Sequence, residues 1–464
     1  MMRLIPLIFL LRATAFAERP PNIIMIFTDD QGYADVGCFG AENIKTPRLD
    51  AMAAEGLRLT SFYSASPICS PSRAALMTGC YPPRVGMGLY PSSSQKRPEL
   101  TAQVLFPYHT VGLNRDEVTM AEVLKARGYA TACIGKWHLG HQPEFLPTEQ
   151  GFDSYLGIPY SNDMVPTPLL RDKETIEEPV DQDPLTERYT AAAIEFIESQ
   201  KDAPFFLYLA HAMPHVPLHV SDRFRDKSAG GFYGDVIEML DWSTGEILDT
   251  IKRLGIEQDT LVVFTSDNGP WLSQGEHGGH AKPLRAGKGT TYEGGMREPC
   301  IAWWPGHIPA GTATDAVAGT IDLLPTFAAL AGATLPDRTL DGRDLSNLLL
   351  HPDAAETPHE AYYYFKGLGL EAVRSGDWKL VFKRQQWEEY PYRRNLPPEP
   401  DAWVETALYD LSADIGEATD VSAAHPEVVA RLEAMAQGMR EDLGDSRTET
   451  VCANCRPLGG TTPE

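Results

Sequence analysis

At 464 residues and 43% hydrophobic, the chain can bury a large core with room for one large domain and a smaller one, which excludes intrinsic disorder. Its net charge of −24 excludes a nucleic-acid partner and a polyanion wrapped over the whole surface, so an anionic substrate needs a local cationic pocket. Seven cysteines are too few for a disulfide scaffold, and the odd count leaves at least one unpaired if the others pair.

In chain order, Met1–Ala17 has Arg3 near its start, an apolar stretch from Leu4 to Leu11 and a small-residue end at Ala15-Phe16-Ala17. This reads as a cleavable export signal, with a buried N-terminal strand or helix as the alternative. No other segment is apolar enough to cross a bilayer, so stable membrane insertion is not expected. Asn-x-Ser/Thr is absent throughout, which leaves a glycan-based lysosomal address nothing to attach to and favours a bacterial periplasmic or secreted setting.

The run Asn22 to Phe27 is continuously apolar and short, as expected of a strand covered by helices on both faces, and it ends in Thr28-Asp29-Asp30-Gln31-Gly32. The same grammar recurs three times. Tyr129 to Ile134 leads into Gly135-Lys136-Trp137-His138, Phe205 to Ala210 into His211-Ala212-Met213-Pro214-His215, and Leu261 to Phe264 into Thr265-Ser266-Asp267-Asn268-Gly269. Helical patterns at Thr119 to Arg127 and Tyr233 to Leu254 lie between these runs, so the order predicts a mostly parallel α/β sheet with its site at the strands' carboxyl ends. Adjacent strand residues face opposite ways, so Asp29 and Asp30 must stand just beyond the regular strand to reach one ion.

The polar stretches Pro91 to Glu99 and Asn162 to Glu187 read as long loops. Past about Leu350 the texture becomes tyrosine-rich and strand-like at Ala361 to Phe365, Glu371 to Phe382 and Ala407 to Leu411, with a helix near Pro426 to Arg440. The expected organisation is a signal peptide (1–17), a catalytic domain (18–350) and a C-terminal α+β subdomain with an antiparallel sheet (351–464). Cys452 and Cys455 form a Cys-x-x-Cys pair, for which a local disulfide is preferred over a redox centre or half a zinc site.

Cys69-Ser70-Pro71-Ser72-Arg73 precedes Ala74-Ala75-Leu76-Met77-Thr78-Gly79. Ser70 is predicted to cap a helix, Pro71 to occupy its first position and Gly79 to stop it, so that Cys69 stands just before a helix N-terminus. Free N–H groups and the positive dipole there stabilise an anionic nucleophile, and Arg73 can add a guanidinium.

The run Cys69 to Gly79 resembles the Cys-x-Pro-Ser-Arg signature of type I sulfatases, which a maturation enzyme reads while converting the cysteine to formylglycine. Gly135-Lys136-Trp137-His138-Leu139-Gly140, Asp267-Asn268-Gly269 and the block from Gly287 to Pro299 are also similar to this family, over about Asn22 to Val421. That last block and Leu408-Tyr409-Asp410-Leu411 are most similar to the arylsulfatase A and N-acetylgalactosamine-6-sulfatase group. The resemblance implies an alkaline-phosphatase-like fold and hydrolysis of sulfate monoesters, with a carbohydrate sulfate as the expected substrate.

Asp29, Asp30, Asp267 and Asn268 offer hard oxygen ligands suited to Ca²⁺ or Mg²⁺, with the matured Cys69 completing the shell; the resemblance favours Ca²⁺. In isolation, Asp267-Asn268-Gly269 reads as a turn and Asp29-Asp30 as a solvated loop, and only their joint position after apolar strands reverses that. The resemblance further implies that Lys136, His138, His215 and Lys288 hold the sulfate and the reacting oxygens. His138 is assigned to nucleophile activation, and His215 or Lys288 to protonation of the leaving oxygen. His211, His219, His277, His280 and Arg285 lie near these residues without a role their spacing specifies. The rival readings are a phosphonate or phosphodiester hydrolase of the same fold and a non-catalytic binder of sulfated glycans.

Overall fold

The computed structural model describes residues 19–88, 104–353, 356–385 and 403–460, so the expected export signal Met1–Ala17 and the expected loop Pro91–Glu99 lie outside the described residues. Eleven strands form one sheet: β1 (Asn22–Thr28), β2 (Leu57–Tyr63), β3 (Ala130–Gly135), β4 (Ser154–Gly157), β5 (Leu169–Arg171), β6 (Glu174–Glu177), β7 (Phe205–Ala210), β8 (Thr260–Ser266), β9 (Arg297–Trp303), β10 (Thr312–Thr314) and β11 (Ala318–Gly319). The order is β10-β2-β9-β8-β1-β7-β3-β4-β5-β6, with β11 also on β2. The five strands from β8 to β4 run parallel, whereas β9 is antiparallel to both its neighbours.

The apolar runs are continuous because both faces of the sheet are covered. In β1, Ile23, Met25 and Phe27 pack on one side with Tyr208 and Val263, beneath the helices Cys69–Thr78, Met120–Ala126 and Leu323–Ala331. Ile24 and Ile26 pack on the other with Leu207, Leu209 and Phe264, against Pro47–Ala54, Leu185–Gln200 and Gly231–Leu254. This period-two division follows from the pleat.

The stretch Asn162 to Glu187, expected to be a loop, instead contains the hairpin of β5 and β6 and the start of the helix at Leu185. Leu169 and Leu170 are buried and pin that hairpin to the sheet, while the rest of it, Ile176 apart, is polar and masks the strand pattern. The segment Glu371 to Phe382 is likewise two strands, Gly369–Ser375 and Trp378–Val381, reversed at Gly376, whose φ of 58° a glycine adopts without penalty.

These two strands join Tyr362–Lys366 and Ala407–Asp410 in a separate four-stranded antiparallel sheet, against which the helix Pro426–Leu443 packs Leu432 and Ala436. A disulfide links Cys452 and Cys455.

A buried ionic knot fastens this sheet to the large one. Lys379 Nζ lies 2.9 Å from Glu293 and 2.8 Å from Glu417, and donates to Thr291 O at 2.8 Å. Glu293 also accepts from the Tyr63 hydroxyl at 2.6 Å, and its N–H donates to Glu417 at 2.7 Å. Among the described residues, no helix is long and apolar enough to cross a membrane.

Candidate active site

Four strands deliver the polar clusters to one edge. β1 ends at Thr28, and Asp30 departs from the strand with a φ of 65°, so that both Asp29 and Asp30 turn toward the same space. β8 ends beside it: Asp267 N–H donates to Thr28 O and Asp30 N–H to Asp267 Oδ1, both at 3.1 Å. At the end of β3, Gly135 lies so close to β7 that a Cβ would meet Ala210 O at 1.8 Å. Only glycine permits that approach, after which Lys136 N–H donates to Ala210 O at 2.7 Å.

Cys69 is the first residue of its helix, with Ile68 as the N-cap. This corrects the expected cap. Ser70 makes no cap bond; its hydroxyl accepts the Leu105 N–H at 3.1 Å. Pro71 stands in the first turn, where its missing N–H has no partner in the helix, and Gly79 closes the helix with a φ of 67°.

Three carboxylates and three cations meet here, all buried. Arg73 Nη2 lies 2.8 Å from Asp267 and 3.6 Å from Asp29, and its Nη1 donates to Lys136 O at 3.1 Å. Lys136 Nζ donates to Asp29 Oδ2 at 2.5 Å and to Ser161 Oγ at 3.2 Å. Lys288 Nζ donates to Asp30 Oδ2 at 2.6 Å and stands 4.5 Å from the centroid of the Trp271 ring. The loop of Lys288 is tied to that of Cys69 by Gly289 N–H donating to Pro67 O at 2.9 Å.

The donor set fits a hard divalent cation. Ligand atoms of Asp29, Cys69 and Asp267 lie within 4.8 Å of one another, as do those of Asp29, Asp30 and His215. Asn268 Nδ2 donates to Asp30 Oδ1 at 2.7 Å, so its Oδ1 points elsewhere; that oxygen and Asp29 Oδ1 are buried with no hydrogen-bond partner. Unpartnered buried carbonyl and carboxylate oxygens beside two further carboxylates are the ligands Ca²⁺ and Mg²⁺ take.

The two histidines are set by their acceptors. His138 Nε2 lies 3.0 Å from Leu105 O, so Nε2 carries the proton and Nδ1, buried without a partner, is the basic nitrogen. His215 Nδ1 lies 2.6 Å from Val216 O and 3.0 Å from Asn162 Oδ1, leaving Nε2 as the lone-pair nitrogen, 3.7 Å from Asp30. Burial lowers the pKa of both rings, aided by Lys136 at His138 and by Lys288 at His215, so both are neutral.

Burial pushes the Cys69 thiol up to about 11 against the pull of Lys136 and Lys288, so at neutral pH it is protonated. Burial also works to raise Asp29, but the permanent cations Lys136, Arg73 and Lys288 hold its carboxyl well below the usual range.

All ten residues singled out in the sequence therefore stand at this edge. The structure adds Ser161, which receives Lys136, Asn162, which orients His215, and Trp271, whose ring lies 5.5 Å from that of His215. Ser161 and Asn162 fall at or beside a stretch that reads only as loop, whereas Trp271 stands four residues past Asp267, just beyond the polar cluster that ends its strand. Of the five residues without an assigned role, His211 bonds Ser243, His219 pairs with Asp183, His280 with Asp35, and Arg285 covers the Tyr292 ring. His277 packs edge-on against Phe232.

Comparison with known proteins matches residues 21–333 to the family model "Sulfatase" and residues 357–458 to "C-terminal region of aryl-sulfatase". The chain is 41% identical to arylsulfatase A of Homo sapiens, over 92% of this chain and 89% of that protein. It is 41% identical to N-acetylgalactosamine-6-sulfatase of Rattus norvegicus, over 81% of this chain and 74% of that protein. The PsFucS1 sulfatase from Pseudoalteromonas sp. superposes with a TM-score of 0.78 at 27% identity, covering 91% of this chain and 90% of that one. Ps i-CgsB, solved in complex with k-i-k-neocarrahexaose, superposes with a TM-score of 0.76 at 30% identity, covering 91% and 93%. The chain shares the alkaline-phosphatase-like fold with these neighbours.

Proposed function

Since the chain belongs to the sulfatase family of sulfuric ester hydrolases, we propose that it releases sulfate from a carbohydrate sulfate monoester through Cys69 matured to formylglycine. The observation that carries this reading is the position of Cys69, at a helix N-terminus where three buried carboxylates and three buried cations converge. The carbohydrate is supported by the relatives' names and by the hexaose bound to Ps i-CgsB.

A protonated thiol is a poor nucleophile, and a serine ester of sulfate would be stable. The hydrate of formylglycine instead attacks sulfur with one hydroxyl, as the alcohol leaves, and expels sulfate with the other, regenerating the aldehyde. His138 Nδ1, neutral and unpartnered, is the base we assign to the attacking hydroxyl. His215 Nε2 carries no proton, so the Lys288 ammonium is the group assigned to protonate the leaving oxygen. Arg73 and Lys136 hold the nucleophile's surroundings and balance the charge that grows on the equatorial oxygens.

Asp29, Asp30, Asp267, Asn268 and the matured Cys69 would hold a Ca²⁺ ion, preferred here over Mg²⁺ because flexible all-oxygen shells suit it. When bound it supplies Lewis-acid polarisation of the sulfate and of the hydrate. We place the chemistry in residues 18–350 and assign residues 351–464 to a subdomain that braces it through Lys379. Maturation requires a formylglycine-generating enzyme as a partner. The reading includes export to the periplasm or beyond, which the disulfide Cys452–Cys455 supports. It includes neither nucleic acid nor stable membrane insertion.

The test is the mass of the proteolytic peptide spanning Cys69, taken from the native source or a host with a maturation enzyme. An aldehyde at Cys69 is expected, with sulfate released from carbohydrate monoesters faster than phosphate from matched phosphodiesters. An unmodified thiol from the native source overturns the nucleophile.

A further inference from the structure

Protonating a leaving oxygen takes more than a nearby cation, because the donor has to be held where its proton meets the oxygen as the bond breaks. A lysine ammonium ends a flexible four-carbon stem, so its position is fixed by what surrounds it. Lys288 Nζ donates to Asp30 Oδ2 at 2.6 Å and stands 4.5 Å from the centroid of the Trp271 ring. The same ring lies 5.5 Å from that of His215, whose Nε2 is 3.7 Å from the same Asp30 oxygen. One indole thus borders both groups that meet Asp30 Oδ2.

The backbone builds this contact. Lys288 N–H donates to Pro270 O at 2.9 Å, and a Cβ at Gly287 would meet that same oxygen at 2.4 Å, so only glycine lets the two loops lie this close. Pro270 O also accepts Leu272 N–H at 3.0 Å, and Trp271 O accepts Gln274 N–H at 2.9 Å, which fixes the turn that carries the indole. An indole face attracts an ammonium through its quadrupole. It offers no lone pair to take the proton, so the ring holds the donor without competing for what it donates.

We infer that Trp271 is a positioning residue for the leaving-group step, fixing the Lys288 ammonium in place as proton donor to the ester oxygen. As the S–O bond breaks, its electron pair stays on that oxygen, which takes a proton from Nζ and departs as the alcohol. This rests on the sulfatase reading and on the assignment of Lys288 made above, and it gives Trp271 no contact with the reacting atoms. Help from an acid matters most when the departing alkoxide is strongly basic, and little when it is a stable phenolate. Loss of Trp271 therefore weighs on poor leaving groups.

The test uses matured wild type, Trp271→Leu, Trp271→Phe, Lys288→Ala and the double variant Trp271→Leu/Lys288→Ala. The substrates are substituted phenyl sulfates from 4-nitrophenyl to 4-methoxyphenyl sulfate, and methyl pyranoside monosulfates, whose alkoxides are poorer leaving groups still. Trp271→Leu is expected to lose about tenfold in kcat/KM on 4-methoxyphenyl and pyranoside sulfates but less than about twofold on 4-nitrophenyl sulfate, which steepens the dependence on leaving-group acidity. Trp271→Phe keeps an aromatic face and should restore most of the loss. On every substrate the double variant should lose no more than Lys288→Ala alone, because two residues that act through one proton are not additive. An equal loss across the phenyl series, an unchanged dependence in Trp271→Leu, or additive losses on either class of ester overturn the positioning role. A Lys288→Ala variant with the wild-type dependence overturns the acid assignment, and the role of Trp271 with it. A matured wild type that releases sulfate from none of these esters overturns the sulfatase reading itself.

Discussion

Replacing Lys379 by methionine tests how far the small sheet fixes the active-site loop. The lysine is wholly buried, and methionine nearly matches its volume while removing its charge. Glu293 would keep Tyr63 at 2.6 Å and Arg297 at 3.3 Å, but Glu417 would keep only the Glu293 N–H at 2.7 Å. The cost therefore falls on an uncompensated Glu417 carboxylate, for which about 3–5 kcal/mol is expected. Thr291, which loses the Lys379 ammonium at 2.8 Å, lies three residues from Lys288. A displacement of about 1 Å at Lys288 would lower kcat by as much as 100-fold. Urea unfolding followed by circular dichroism reads the first effect, and steady-state sulfate release the second. The double variant Lys379→Met/Glu417→Gln should regain more than half of the lost stability, because a neutral amide needs no counter-ion. A Lys379→Met midpoint equivalent to within about 1 kcal/mol of the parent would refute the reasoning, since removing one member of a buried pair cannot be that cheap.

Two further predictions address the ion and the pH dependence. Asp267→Ala should abolish turnover while circular dichroism reports a folded protein, with Asp267→Asn as the conservative companion; full turnover by either variant under stringent chelation would remove the ion from the mechanism. Glu293 is buried, which by itself raises its pKa, yet Lys379, Arg297 and Arg374 bring it down from 4.5 to about 2. A carboxyl with a depressed folded pKa contributes stability that is present above 4.5 and lost as the pH falls through about 2. That contribution is roughly 3 kcal/mol. Glu293→Gln should flatten the fall in unfolding free energy over this window, and an unchanged slope would refute the assignment.

The strand ends were legible because burial on both faces leaves an unbroken apolar run, and the first polar residue after it marks the edge. Phe205–Ala210 is bounded as the pattern reads, and Asp29, Lys136, His215 and Asp267 follow their strands within a few residues. A serine before proline imitates a cap, but tertiary contact with Leu105 claims the Ser70 hydroxyl, and the helix starts two residues earlier than expected. Asn162 acts through its contact with His215, a residue far along the chain, which no local periodicity encodes. The knot of Lys379, Glu293 and Glu417 was hidden for the same reason, since charged residues in a strand pattern ordinarily face water.

The charge of the site also explains how so acidic a protein can hold an anionic ester. Within the centre, Asp29, Asp30 and Asp267 are matched one for one by Arg73, Lys136 and Lys288, so the bare cluster is near neutral despite the net −24 of the chain. A divalent cation on the unpartnered oxygens of Asp29 and Asn268 would then leave the centre with about two positive charges in a region from which water is largely excluded. The field that attracts sulfate would thus be short-ranged and conditional on the ion, while the rest of the surface repels polyanions.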